Sequence, residues 1–139
     1  MQEPATGKKH ATLLVRAEYE KDGKKYATCL DSDPEISVQT ESDAVTARVN
    51  AKFFCAETQS AENEELFAEF SYRFAPEGVT IEVKKINEEI KFVLPVIENT
   101  GKVLTGNSFE KEKIFFLTGG FSADEYSFSL AEDVVVTIK

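Results

Sequence analysis

Tryptophan is absent from this chain, and histidine and methionine each occur once. The missing indole removes the broadest ring on which a sheet face can stack a sugar. The lone His10 lies in a polar lead-in, so a Ser-His-Asp or Cys-His arrangement would have to be assembled on a chain end. Only Cys29 and Cys55 accompany that histidine, too few ligands for a structural zinc, and no cofactor is expected. No apolar run approaches the roughly 18 to 20 residues that span a bilayer, so membrane insertion is not expected. Basic residues are also scarce, 16 against 25 acidic ones, for a net charge of −9. Such a surface repels phosphate backbones and anionic lipids at long range, which argues against nucleic acid as a partner. A polyanionic glycan is disfavoured for the surface as a whole, a local basic patch aside. The plain reading of the acidity is solubility.

What remains is ample material for a core. The 139 residues fall near the commonest domain size, and 42% are apolar, with eleven Phe and four Tyr. One domain is expected over residues 11–139, preceded by a lead-in, 1–10, that is polar and carries Pro4, Gly7, Lys8 and Lys9. It has no apolar centre of the secretory type, which fits either a cytoplasmic protein or a segment taken from a larger one, and it reads as the interdomain linker of the latter.

Alternation dominates the pattern. Leu13, Val15, Ala17 and Tyr19 share one face of a strand over Thr12–Glu20. Asp22-Gly23 then suits a type I′ turn, which sets Tyr19 opposite Tyr26, Ala17 opposite Thr28 and Val15 opposite Leu30. Glu35–Gln39 is a short strand. Ala44–Ala56 is the longest, with Val45, Ala47, Val49, Ala51, Phe53 and Cys55 inward. Leu66, Ala68, Phe70, Tyr72 and Phe74 alternate next, and the turn at Pro76-Glu77-Gly78 leads into Val79, Ile81 and Val83. Ile90–Ile97 is apolar on both faces, as in a strand covered from two sides or at a domain contact, and Pro95 points to an edge or bulged position. Val103-Leu104, Lys113–Thr118 closed by Gly119-Gly120, Glu125–Leu130 and Val134–Lys139 complete the set. The expectation is an all-β, antiparallel β-sandwich of about eight to ten short strands.

Few groups are placed for chemistry. Asp31, Asp33 and Glu35 gather carboxylates at alternate positions, an oxygen-rich pattern that could take calcium, although the glycine and distal glutamate of an EF-hand loop are missing and an ordinary acidic turn is the simpler reading. Glu62, Glu64, Glu65 and Glu69 could in principle supply the carboxylate pair of a glycosidase, but no spacing fixes two of them across a cleft, and a solvated face explains them. Alternation sends Cys55 inward and Cys29 to the opposite face, so two free thiols are expected; a disulfide would need Cα atoms within about 7 Å. Phe54, Phe67 and Tyr126 are the aromatics left to face outward, as contacts to a neighbouring domain or as sugar platforms. No catalytic residue is assigned.

The run Phe70-Ser71-Tyr72-Arg73-Phe74-Ala75-Pro76-Glu77-Gly78-Val79-Thr80-Ile81, followed by Phe92-Val93-Leu94-Pro95-Val96-Ile97, resembles the later β-rich modules of bacterial polysaccharide-active enzymes, the heparinase II/III-like lyases being the nearest example. In that family the catalytic Tyr and His lie largely in a separate helical domain, so no active-site residue carries over. The resemblance implies a C-terminal supporting sandwich that packs on a catalytic domain of the same parent protein and helps frame its polysaccharide cleft, secreted or at the cell surface. The alternative is an immunoglobulin-like interaction or adhesion domain that uses loops or an edge strand.

Overall fold

The computed structural model describes residues 15–97, 101–115 and 122–139. The lead-in with His10, the first residues of the Thr12–Glu20 strand and the Gly119-Gly120 turn lie outside them. Twelve strands are found among the described residues: β1 (Arg16–Lys21), β2 (Lys24–Ala27), β3 (Glu35–Thr40), β4 (Val45–Lys52), β5 (Phe54–Cys55), β6 (Phe67–Ala75), β7 (Gly78–Val83), β8 (Lys91–Ile97), β9 (Val103–Thr105), β10 (Glu110–Phe115), β11 (Ser122–Ser129) and β12 (Val134–Ile138). They form two six-stranded antiparallel sheets, β10-β11-β8-β1-β2-β5 and β3-β4-β6-β7-β12-β9. The expected antiparallel sandwich is therefore the architecture, with more strands than expected.

The core lies between the two inner faces, as period-two burial dictates. Phe92 and Phe128 of the first sheet stack at 5.7 Å between ring centroids, and Phe70 of the second meets Phe92 at 6.1 Å. Val83, Val134 and Val136 close the second sheet's side, all essentially inaccessible.

Both hairpins read from the sequence are present. Asp22 and Gly23 take positive φ values of 53° and 76°, Lys21 pairs Lys24, and the Tyr19 and Tyr26 rings stack at 5.1 Å. At the second turn Ala75 pairs Gly78, whose φ is +148°. A Cβ there would stand 2.4 Å from the Ile138 carbonyl oxygen, so close backbone approach requires the glycine.

Three expectations need correction. First, the Tyr19–Tyr26 ladder ends at Glu18↔Ala27, short of Val15 and Leu30, because Thr28–Leu30 winds into a 3₁₀ turn. The Thr28 hydroxyl accepts the Ala17 N–H at 3.0 Å in place of a ladder carbonyl, and Leu30 is left 42% exposed. Second, Ala44–Ala56 is two strands. β4 pairs β6 as far as Lys52↔Phe67, the chain then crosses the sandwich at Phe53, and β5 pairs β2 through Phe54↔Ala27 and Cys55↔Tyr26. Alternation runs straight through the crossing because Ala51, Phe53 and Cys55 all point into the shared interior, from one sheet and then the other. Third, β8 is an interior strand despite Pro95, flanked by β11 and β1. The described ladder with β1 runs from Arg16↔Val93 to Glu18↔Lys91, so the proline lies beyond it. Phe92, Val93 and Leu94 are all buried, which bears out coverage from two sides and leaves those residues unavailable to a partner domain.

Candidate functional site

The outer face of the second sheet carries a concavity of about 590 Å³ across β3, β4, β6 and β7. Antiparallel register brings its side chains together in rows: Glu35, Asn50 and Glu69 in one, Ser37, Arg48, Ser71 and Glu82 in the next. Lys84 adds a cation 3.7 Å from Glu69. One pleat from Glu69, Phe67 pairs with Lys52 and stands 42% exposed on the same face. Of the three outward aromatics expected, Phe67 is thus exposed on this face. Phe54 is half-buried in the other sheet, and the half-buried Tyr126 ring packs on Phe109 at 5.2 Å with Lys111 at 6.0 Å. One ring beside amide, hydroxyl, carboxylate and guanidinium groups can stack on a sugar C–H face while pairing its hydroxyls, with charges of both signs on offer.

Several carboxylates elsewhere are already engaged. Asp31 accepts the Asp33 N–H with Oδ1 at 3.0 Å and the Lys52 N–H with Oδ2 at 2.8 Å. It thereby fastens the loop before β3 to the last residue of β4, where the chain leaves for the other sheet. Among the described residues no group of three or more His, Cys, Asp or Glu is placed to hold a metal ion, and the Asp31 carboxylate is occupied by backbone N–H groups. Glu62 accepts from the Tyr19 hydroxyl at 3.0 Å and pairs with Lys21. These partners hold its carboxyl below the usual range. Glu69 pairs with Lys84, so Glu62 and Glu69 are tied to different cations.

Arg16, on the face of β1 opposite Ala17 and Tyr19, where alternation would put solvent, is 6% exposed. Its guanidinium lies between Glu18 and Glu125, 3.6 Å from the latter, and Lys25 reaches Glu18 at 3.0 Å. Burial pushes the Glu18 carboxyl up, but the Arg16 and Lys25 charges outweigh it and hold the group below its ordinary value. The two carboxylates are joined through a cation instead of facing each other across open space, which is the arrangement of a structural network. A period-two pattern could not reveal it, since the meeting of Arg16 with Glu125 depends on strand order, β1 and β11 lying on either side of β8.

Cys29 and Cys55 are free thiols. Cys29 sits in the 3₁₀ turn, where burial pushes its thiol up, and Cys55 is buried on β5 opposite Tyr26. No described helix is long and apolar enough to cross a membrane.

The fold and the site define an all-β module, an antiparallel sandwich with a polar groove on the outer face of one sheet. A family model described as the ulvan lyase C-terminal domain matches residues 1–123, and the chain belongs to that family. The resemblance to C-terminal modules of polysaccharide lyases is therefore borne out. No curated protein and no solved structure matches the chain significantly.

Proposed function

We propose that this chain is a non-catalytic supporting module of a secreted bacterial ulvan lyase, one domain over residues 11–139. In this reading it packs against the catalytic domain of the same parent protein and contacts the polysaccharide with the outer groove of its second sheet. The family match over residues 1–123 carries the reading, since its description names the C-terminal part of a polysaccharide lyase. Two features support it. The groove gathers Arg48, Asn50 and Lys84, with one exposed ring, Phe67, a pleat beyond it on the same face, and the carboxylates of Glu18, Glu62, Glu125 and Asp31 are each held by a hydrogen bond or an ion pair. Glu35 and Glu82 in the groove can accept hydrogen bonds from sugar hydroxyls, whereas an anionic chain must approach through Arg48, Lys52 and Lys84.

Deletion of the module from its parent is the test. Affinity for long ulvan chains and thermal stability of the catalytic part should both fall, while kcat on short oligosaccharides is retained. Phe67→Ala and Arg48→Ala should each weaken retardation of the module in gels containing ulvan. Loss of kcat on short oligosaccharides after deletion would mean that the module supplies a reacting group.

A further inference from the structure

The four edges of the two sheets are treated unequally. β5 has two residues and β9 three, and β10 carries Lys111 and Lys113; short edges and edge lysines are two of the ordinary ways to discourage strand addition. β3 is six residues long, all exposed, with no lysine, no proline and no bulge in its ladder with β4. Ile36 and Val38 stand 62% and 64% exposed on the apolar side of this strand, beyond the cover of the first sheet. Among the described residues nothing pairs with its free side.

The hydrogen-bond phase of that free side follows from the turn. The Glu41 N–H donates to the Ala44 carbonyl at 2.8 Å, which makes Glu41 and Ala44 a hydrogen-bonded pair. Alternation then gives Gln39↔Thr46, Ser37↔Arg48 and Glu35↔Asn50 the bonds to β4. Ile36, Val38 and Thr40 consequently direct their N–H and C=O groups outward.

We propose that β3 is a self-association edge, pairing antiparallel with β3 of a second copy about a two-fold axis at Ser37. The sequence Glu35-Ile36-Ser37-Val38-Gln39 is complementary to itself in this register. Ile36 lies opposite Val38 of the second copy, Glu35 opposite its Gln39, and Ser37 opposite its Ser37. Each Ile36/Val38 pair exchanges two backbone hydrogen bonds, and apolar side chains meet apolar ones on one face while a carboxylate meets an amide on the other. A register centred on Val38 would instead oppose Glu35 to Glu41, like charges at both ends of the seam. Because Glu35 and Ser37 also line the outer groove, pairing joins two grooves into one continuous polar face. The seam is short and the chain carries a net charge of −9, so the dimer is weak, forms with rising concentration and tightens as salt screens the repulsion.

Sedimentation equilibrium of the full chain across a concentration series, at low and high salt, tests this. The mass should rise from 15.5 kDa toward twice that value. Ile36→Lys and Val38→Lys, both at exposed positions, should each weaken association about tenfold or more, because each appears twice in the seam. Ser37 and its symmetry mate form a non-hydrogen-bonded pair, whose Cα separation of about 4.5 Å suits a disulfide. Ser37→Cys should therefore give a covalent dimer on mild oxidation, beyond any that Cys29 and Cys55 yield in the unsubstituted chain, and Ser71→Cys on the same face should not. A chain that stays monomeric at all concentrations overturns the proposal and leaves the edge to a strand from another protein. Association unaffected by the lysine variants, or crosslinking by Val38→Cys in place of Ser37→Cys, would equally contradict it.

Discussion

Replacing Asp31 with alanine removes the acceptor of two backbone N–H groups, those of Asp33 and Lys52, at 3.0 and 2.8 Å. The loop is open to water, so solvent can partly replace each bond, and about 1 kcal/mol apiece is the appropriate value instead of the larger figure for a buried charge-assisted contact. The total is about 2 kcal/mol. For 139 residues the unfolding entropy is about 0.3 kcal/mol/K, so Asp31→Ala should lower Tm by about 7 °C. Asp31→Asn keeps one acceptor oxygen and should lose about half as much. Thermal melts followed by circular dichroism in the β-sheet band, with and without calcium, give the numbers. An unchanged Tm in Asp31→Ala would refute the latch between the 31–34 loop and the end of β4. So would a calcium-dependent rise in wild-type Tm that the variant lacks, since that would restore the loop as a cation site.

Three further outcomes follow from the packing. Gly78→Ala should destabilise the fold by about 2 kcal/mol or more, since φ is +148° and a Cβ would stand 2.4 Å from the Ile138 carbonyl oxygen; Gly23→Ala, with open space around it, should cost about 1 kcal/mol, and equal losses in urea melts would negate the close-approach explanation. Glu18 has a lowered folded-state pKa, so its stabilisation is complete above the unfolded carboxylate value and is lost as pH falls through the folded one; Glu18→Gln should flatten the acid limb of the stability curve, and an unaltered limb would count against the Arg16–Glu18–Lys25 network. Burial pushes Tyr72 up to about 12, so its contribution is intact below the ordinary phenol value and disappears as pH rises through the folded one. Spectrophotometric titration should lose a late phenolate component in Tyr72→Phe, and an identical titration curve would show that the ring is solvated.

The sequence was legible where one residue type answers one local demand. Asp22-Gly23 and Pro76-Glu77-Gly78 set both hairpins and their registers, and Ala68, Phe70, Ile81 and Val83 were identified as inward by alternation alone. It was opaque where two distant segments decide the outcome. Nothing at Phe53 marks the crossing between sheets, because inward remains inward on either side of the interior. Pro95 suggested an edge, yet strand order is a property of pairing and not of any one residue. Ile36 and Val38 alternate like core residues, and only the overhang of β3 beyond the first sheet exposes them. The outer groove was half visible: alternation made Arg48, Asn50, Glu69 and Ser71 solvent-facing and left Phe67 an outward candidate, but their convergence depends on the ladder among β3, β4, β6 and β7.

Incubation of the isolated chain with ulvan, monitored by absorbance of the conjugated double bond that lyase cleavage creates, bears most directly on the supporting role. The account predicts no product above the protein-free rate over hours at high protein concentration. Turnover that purifies with the chain and is abolished by substitution at Glu35, Glu69 or Glu82 would place the reaction in the groove itself and contradict it.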